Sequence, residues 1–142
     1  MNVLARHHVL LGELVTTPAL LIVTAGYSEA SPPQAPHGPT GVDHILPETA
    51  YWTSVPMDEE PGSESWMHLY VSEVPYATHI LEPLLRSVAG EEIANVLVAD
   101  PFLRWLYHPY DGGMDVLLPT TAERDALRDR HLDWLSGHPS GL

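Results

Sequence analysis

Apolar residues near the start of the chain change from a helical to an extended spacing. Between residues 3 and 15 they recur every three or four positions, which is typical of an amphipathic helix. Thr17-Pro18 ends this pattern, because proline cannot continue the helical hydrogen-bond ladder. Residues 20–24 then form an uninterrupted run with β-branched side chains, as in a central strand covered on both faces. We therefore expect a helix followed by a buried strand.

The middle of the chain favours one helix among several strands. Apolar positions over residues 75–89 have helical spacing, with Gly90 as a C-terminal cap. Pro83 predicts a kink or two shorter helices in this segment, since proline lacks the backbone donor. Short apolar or alternating runs predict strands over residues 51–55, 66–72 and 95–99.

The last third of the chain predicts a β-hairpin. Residues 103–107 and 114–118 are alternating runs, and proline, aspartate and glycine separate them. A two-residue turn at 111–112 would place His108 opposite Asp115, whereas a four-residue turn would shift the pairs. Both registers keep every side chain on the same face. The less apolar face carries Arg104, Leu106, His108, Asp115 and Leu117.

Residues 120–135 predict a C-terminal helix. Thr120 and Glu123 have the spacing of a capping box, in which their side chains bond to free N–H groups at the helix start. Strands outnumber helices and mostly follow one another, which favours an α+β fold with a largely antiparallel sheet. We expect a single domain over residues 1–142, with about five or six strands packed with three helices. An irregular Pro/Gly-rich loop is expected at residues 28–44 and an acidic loop at residues 57–64.

The chain is strongly acidic. Its 142 residues include 19 acidic and 6 basic side chains, for a formal net charge of -13. All six basic residues are arginine, and the excess acid is concentrated between Val42 and Asp100. We expect no nucleic-acid binding, because phosphate contacts need clustered cations. The charge is either a solvated surface that maintains solubility or an electrostatic face for a basic partner.

Several features favour a cytoplasmic location. The chain has no cysteine, so it forms no disulfide and no thiolate metal site, which fits a reducing compartment. No apolar run reaches the length of a membrane span. The start of the chain is a poor match to a secretory signal, since Glu13 follows soon after Arg6. We expect no membrane contact.

One hypothesis for the function is a binding protein of the immunity or inhibitor type. Such a protein blocks a basic nuclease or other toxin by presenting carboxylates to its cationic cleft. The charge asymmetry favours this hypothesis over the others. The expected contact residues are Asp58, Glu59, Glu60 and Glu64.

The alternative hypothesis is an enzyme or small-ligand binder. If the strand at 66–72 neighbours the hairpin on the same face, aromatic and titratable side chains would form a concave patch under the Pro/Gly-rich loop. His108 or His68 would act as acid or base, and Asp115 would orient it. The candidate catalytic residues are His108, Asp115, Arg104 and His68, and the candidate ligand-binding residues are Tyr110, Trp66 and Tyr70.

The same residues also have a purely structural interpretation. Arg104 and Asp115 would form a cross-strand ion pair, while Trp66 and Tyr70 would pack under a helix. Nine histidines are present, but their spacing supplies no set of three metal ligands, and no familiar cofactor or catalytic signature occurs. We therefore expect no metal and no cofactor. A third option, a homodimerising module, would show an exposed apolar strand face.

Two motifs stand out in the last third of the chain. They are the hairpin string Y-H-P-Y-D-G-G-M-D-V over residues 107–116, and the C-terminal groups Arg124-Asp125 and Asp133-Trp134-Leu135. On these motifs the chain resembles an uncharacterised family of small bacterial proteins. The lysine-free composition, biased to alanine, proline and arginine, suggests a high-GC genome. The resemblance implies a shared domain and carries no catalytic residue.

Overall fold

The computed structural model describes residues 2–29, 46, 49–57 and 65–134, which form one α+β domain. The helices are α1 (Val3–Leu14), α2 (Thr78–Ala89) and α3 (Thr121–Arg130), followed by a short 3-10 helix at Leu132–Trp134. The strands are β1 (Ala19–Ser28), β2 (Ala50–Pro56), β3 (Trp66–Pro75), β4 (Leu97–Ala99), β5 (Leu106–Tyr110) and β6 (Gly113–Leu117). The expected fold class is confirmed, with three helices and six strands in these described ranges.

All six strands form one antiparallel sheet in the order β2-β3-β1-β4-β5-β6. The longest pairing joins β1 to β3, from Ala19 opposite Pro75 to Ser28 opposite Trp66. Both strands extend beyond the predicted 20–24 and 66–72, because each supplies hydrogen-bond partners for the other along its full length. The central strand β1 therefore separates β3 from the C-terminal hairpin.

The helices pack on one face of the sheet. Leu20 and Ile22 of β1 are fully buried in the core with apolar side chains from all three helices. Leu21 and Val23 point to the opposite face and stay partly exposed. The expectation that β1 is covered on both faces is wrong for the described part of the chain. A uniformly apolar run does not reveal which side a helix covers, and here only alternate side chains enter the core.

Helix boundaries follow local side-chain chemistry. Asn2 caps α1 by accepting a hydrogen bond from the Ala5 N–H at 2.8 Å. The capping box of α3 is confirmed, since Thr120 accepts from the Glu123 N–H at 3.1 Å. The middle helix is one piece that contains Pro83, so the alternative of two shorter helices is wrong. It begins later than predicted because Pro75 belongs to β3.

The hairpin adopts the tighter of the two predicted registers. A two-residue turn joins β5 to β6 and places His108 opposite Asp115. The strand β5 begins at Leu106, later than the predicted start at residue 103. Leu103 instead has a positive φ of 56°, which is incompatible with an extended strand. Arg104 therefore lies in the turn between β4 and β5 and not on the hairpin.

Candidate functional site

The predicted catalytic patch is divided by the topology of the sheet. His68 and Tyr70 lie on β3, whereas His108 lies on β5, and β1 and β4 run between these strands. The register also places the β3 residues and His108 on opposite faces of the sheet. His68, Tyr70 and the buried Tyr107 lie on the helix side. His108 follows Tyr107 in the strand and therefore points to the other side. The strand adjacency assumed for one concave patch is therefore absent.

His68 belongs to a hydrogen-bonded network at the helix side of the sheet. It is buried, with Nδ1 2.6 Å from the Ser54 hydroxyl and Nε2 2.5 Å from the Ser28 hydroxyl. The Ser54 hydroxyl also lies 2.5 Å from that of Tyr51. Because serine hydroxyls engage both ring nitrogens, this histidine connects β1, β2 and β3.

The aromatic residues around His68 also lie within the sheet. Tyr70 is buried, and its pKa is raised by burial and then by the neighbouring Tyr51, whose ring centroid lies 5.9 Å away. Trp66 is partly buried at the beginning of β3, opposite Ser28. These two predicted ligand-binding side chains are on the more buried face of β3. The alternating pattern located two faces but could not identify which one the core covers.

Arg104 pairs with Asp100 and not with Asp115. The Asp100 carboxylate is fully buried and accepts hydrogen bonds from Arg104 Nε at 2.8 Å and Nη2 at 2.9 Å. The backbone N–H groups of Phe102 and Arg104 also donate to it, each at 3.1 Å. These hydrogen bonds hold the pKa of Asp100 below its usual value, and those from the Arg104 side chain have the largest effect.

The turn closed by Asp100 presents two apolar side chains to solvent. Phe102 is 74% exposed and Leu103 is 66% exposed, although both belong to a turn that is firmly hydrogen-bonded. The sequence interpretation missed this feature by extending the following strand to Leu103. The dipeptide Asp100-Pro101 was the available signal, since aspartate and proline favour the first two positions of a turn.

Three of the predicted site residues remain together on the hairpin. His108 Nδ1 lies 3.9 Å from Asp115 Oδ2, an ion-pair distance that is longer than a hydrogen bond. The ring centroids of His108 and Tyr110 are 5.9 Å apart. The pKa of Tyr110 is raised by burial, then by the charges of Asp115 and Asp111. This cluster is partly exposed and lies on the face of the sheet opposite the helices.

We call this opposite surface of the sheet the open face. In the described part of the chain, no helix packs on it, and its centre is apolar. Tyr27 and Leu117 on this face are 53% and 54% exposed. By strand register the open face comprises Ala19, Leu21, Val23, Ala25, Tyr27, Ala50, Thr53, Val55, Met67, Leu69, Val71, Glu73, Pro75, Leu97, Ala99, Leu106, His108, Tyr110, Gly113, Asp115 and Leu117.

The charge on the open face has one sign. Glu73 and Asp115 are its carboxylates, and none of the six described strands contains a lysine or arginine. Five of the six arginines lie on helices, and the sixth, Arg104, is bound to Asp100. The sheet thus separates a cation-bearing helical layer from an apolar and acidic surface.

Two segments named in the sequence hypotheses lie outside the described residues. The expected partner-binding residues Asp58, Glu59, Glu60 and Glu64 belong to residues 58–64, which link β2 to β3. The ends of that link are held together by a hydrogen bond of 2.9 Å from the Met57 N–H to the Ser65 carbonyl. Most of the Pro/Gly-rich loop at residues 28–44, under which the catalytic patch was expected, also lies outside the described residues.

Neither a membrane-spanning helix nor a metal-binding cluster occurs in residues 2–29, 46, 49–57 and 65–134, the part of the chain that the structure describes. Within these ranges no helix has the length and hydropathy needed to cross a bilayer. The same ranges contain no group of three or more histidine and acidic side chains arranged to hold a metal ion.

Comparison with known proteins identifies a family but no activity. Searches of curated proteins and of solved structures find no match. A family model described as a domain of unknown function, DUF3885, matches residues 1–139. Since this match covers almost the whole chain, the protein belongs to the DUF3885 family.

Proposed function

We propose that this protein binds a basic protein partner through the open face of its sheet, in the manner of an inhibitor or immunity protein. The observation that carries the proposal is an apolar sheet surface that has carboxylates but no cation. A partner would cover the apolar centre and place its lysines or arginines near Glu73 and Asp115.

The apolar part of the open face supplies the driving force for such an interaction. Val23 and Val71 face each other across β1 and β3, and Leu97 adjoins Val23 on the other side. These side chains are only partly buried by their neighbours in the sheet. Contiguous apolar surface that is partly exposed, as here, is found at interaction sites in proteins, because covering it removes apolar area from water.

The charge distribution favours a positively charged partner. The formal net charge of -13 attracts a basic protein over long range, which speeds the encounter of the two molecules. Close to the sheet, Glu73 and Asp115 extend this attraction, since none of the six described strands carries an arginine or a lysine. A second copy of this chain would bring like charges together, which disfavours self-association through this face.

The enzyme alternative has less support from the geometry. His108 and Asp115 lie 3.9 Å apart at a partly exposed position, and neither Arg104 nor His68 is on that face to complete a catalytic set. We therefore assign the hairpin cluster to the rim of the proposed binding surface, where His108 and Asp115 would contact the partner.

A charge reversal on the open face tests the proposal. The full chain serves as bait in a low-salt lysate, and the captured protein is identified, purified and titrated against it by calorimetry. We expect a basic partner whose Kd rises at least about tenfold when Glu73→Arg replaces a carboxylate of the open face, as expected for loss of a close charge pair. Raising the salt should weaken the wild-type complex as well.

The matched control is Asp129→Arg, which makes the same change in net charge at an exposed position of α3. It should change the Kd by no more than about twofold, because a distant exposed charge is largely screened. Recovery of no basic partner at low salt would contradict the proposal, as would equal weakening by the two variants.

A further inference from the structure

We propose a second binding site, for a small organic anion, in the cavity between α1, α3 and the β5–β6 hairpin. The ligand would carry a carboxylate or phosphate on an apolar body. The site lies largely on the helix side of the sheet, and its assignment does not depend on the proposed binding of a basic protein.

The cavity has the size and lining of a small-molecule site. Its volume is about 970 Å³, at the upper end of the range for drug-sized ligands. Met114 and Val116 of β6 contribute apolar side chains, and Trp134 contributes an aromatic ring. Such a lining buries an apolar body, while a few polar groups fix its orientation.

Three arginines line this single cavity in a chain that has only six basic residues. Arg6 comes from α1, and Arg124 and Arg128 come from consecutive turns of α3. Asp115 and Asp133 are the carboxylates in the lining. Asp125 of α3 already pairs with Arg124 and Arg128. Among the residues that the structure describes, Arg6 is therefore the cation of the lining that is left to meet an anionic ligand, and a single such cation disfavours a ligand with many negative charges.

Arg6 is the least satisfied of these cations. It forms no ion pair with any residue that the structure describes, and its Nε is buried without a hydrogen-bond partner there. Its guanidinium carbon lies 5.4 Å from the centre of the Trp134 ring. A buried guanidinium donor without an acceptor is unfavourable. An oxyanion in the cavity would supply that acceptor.

Neighbouring contacts hold the walls of the site in place. The His131 ring stacks on Trp134 with centroids 4.2 Å apart, and its Nε2 lies 2.7 Å from a Glu13 carboxylate oxygen. On α3, Asp125 pairs with Arg124 at 3.1 Å and with Arg128 at 3.6 Å. These contacts keep the aromatic ring and the arginines in position before a ligand arrives, which lowers the entropy cost of binding.

The test uses phenyl phosphate, benzoate and inorganic phosphate as probes, titrated into the full chain by calorimetry and followed by tryptophan fluorescence. We expect saturable one-to-one binding of phenyl phosphate or benzoate, with inorganic phosphate at least about tenfold weaker because it lacks the apolar body. The variant Arg6→Gln should weaken binding at least about tenfold, the loss expected for one charge-assisted hydrogen bond.

Arg86→Gln is the matched control, since Arg86 is exposed on α2 and pairs with Glu82 away from the cavity. It should leave the affinity unchanged. If Arg6→Gln does not fold, Arg124→Gln gives the same test from an exposed position of α3. The proposal is overturned if no probe binds at about 10 mM, if both arginine variants bind like wild type, or if inorganic phosphate binds as tightly as the organic probes.

Discussion

Replacing Asp100 by alanine should lower the free energy of unfolding by about 3 kcal/mol. The fully buried carboxylate accepts four hydrogen bonds, two from the Arg104 side chain and two from backbone N–H groups. Alanine leaves the two backbone donors in the turn without this acceptor and releases the guanidinium. It also removes what holds Leu103 at its positive φ of 56°, a conformation unfavourable for leucine.

Urea unfolding of the two proteins at pH 7 measures this loss. Asp100→Asn should have an intermediate effect, because it keeps the shape and one acceptor oxygen but loses the charge. The matched control is Asp125→Ala on α3, whose exposed ion pairs with Arg124 and Arg128 should contribute less than about 1 kcal/mol. A loss below about 1 kcal/mol for Asp100→Ala would show that the turn does not depend on this carboxylate.

Acidification from pH 6.5 to pH 4 should destabilise the protein through His7. Burial, and then the charge of His8, lowers the pKa of His7 to about 4 from its usual value of 6.5. The neutral ring is hydrogen-bonded through Nδ1 to the Tyr107 hydroxyl at 2.7 Å. Burial also raises the pKa of Tyr107, so the phenol keeps its proton. Both groups are therefore neutral in the folded protein near pH 7.

The sign of the effect follows from which state binds the proton. Between pH 6.5 and pH 4 the unfolded chain protonates His7 and the folded protein does not. The stabilisation is fully present above pH 6.5 and is lost as the pH falls, by a total of about 3 kcal/mol. His7→Asn keeps a polar side chain near Tyr107 but does not titrate. Its unfolding free energy should vary less with pH than that of wild type, and parallel curves would contradict the pKa assigned to His7.

Local sequence signals predicted local structure correctly. The fold class and the α3 capping box are confirmed. Of the two registers that the sequence left open for the hairpin, the structure has the one with His108 opposite Asp115. The order of the strands could not be predicted, because the apolar run in β1 is compatible with many neighbours. That missing order is why His68 and His108 were placed on one patch although two strands separate them.

The buried face of the sheet was the second feature that could not be predicted from the sequence. Alternation along β3 separates Trp66, His68 and Tyr70 from Met67, Leu69 and Val71, but it does not show which set the helices cover. The structure buries His68 and Tyr70, and hydroxyl groups of Ser28 and Ser54 satisfy the imidazole. The apolar set then remains on the open face, which is the basis of the proposed function.

The most direct test of the open face is an arginine placed at its centre. Val71→Arg should raise the Kd for the purified basic partner about a hundredfold, because it puts a cation and a long side chain into an apolar contact. Val9→Arg makes the same change at an exposed position of α1, among the helices, and should alter the Kd by about twofold or less.

Thermal unfolding of both variants establishes that they fold. If Val71→Arg does not fold, Val55→Arg replaces it, because Val55 lies at a more exposed position on β2. The measurement that decides is the ratio of the two Kd values in one calorimetric series. A large loss of affinity for the sheet variant alone is the result we predict. Equal affinities for the sheet variant and the Val9→Arg variant would mean that the partner does not bind the open face.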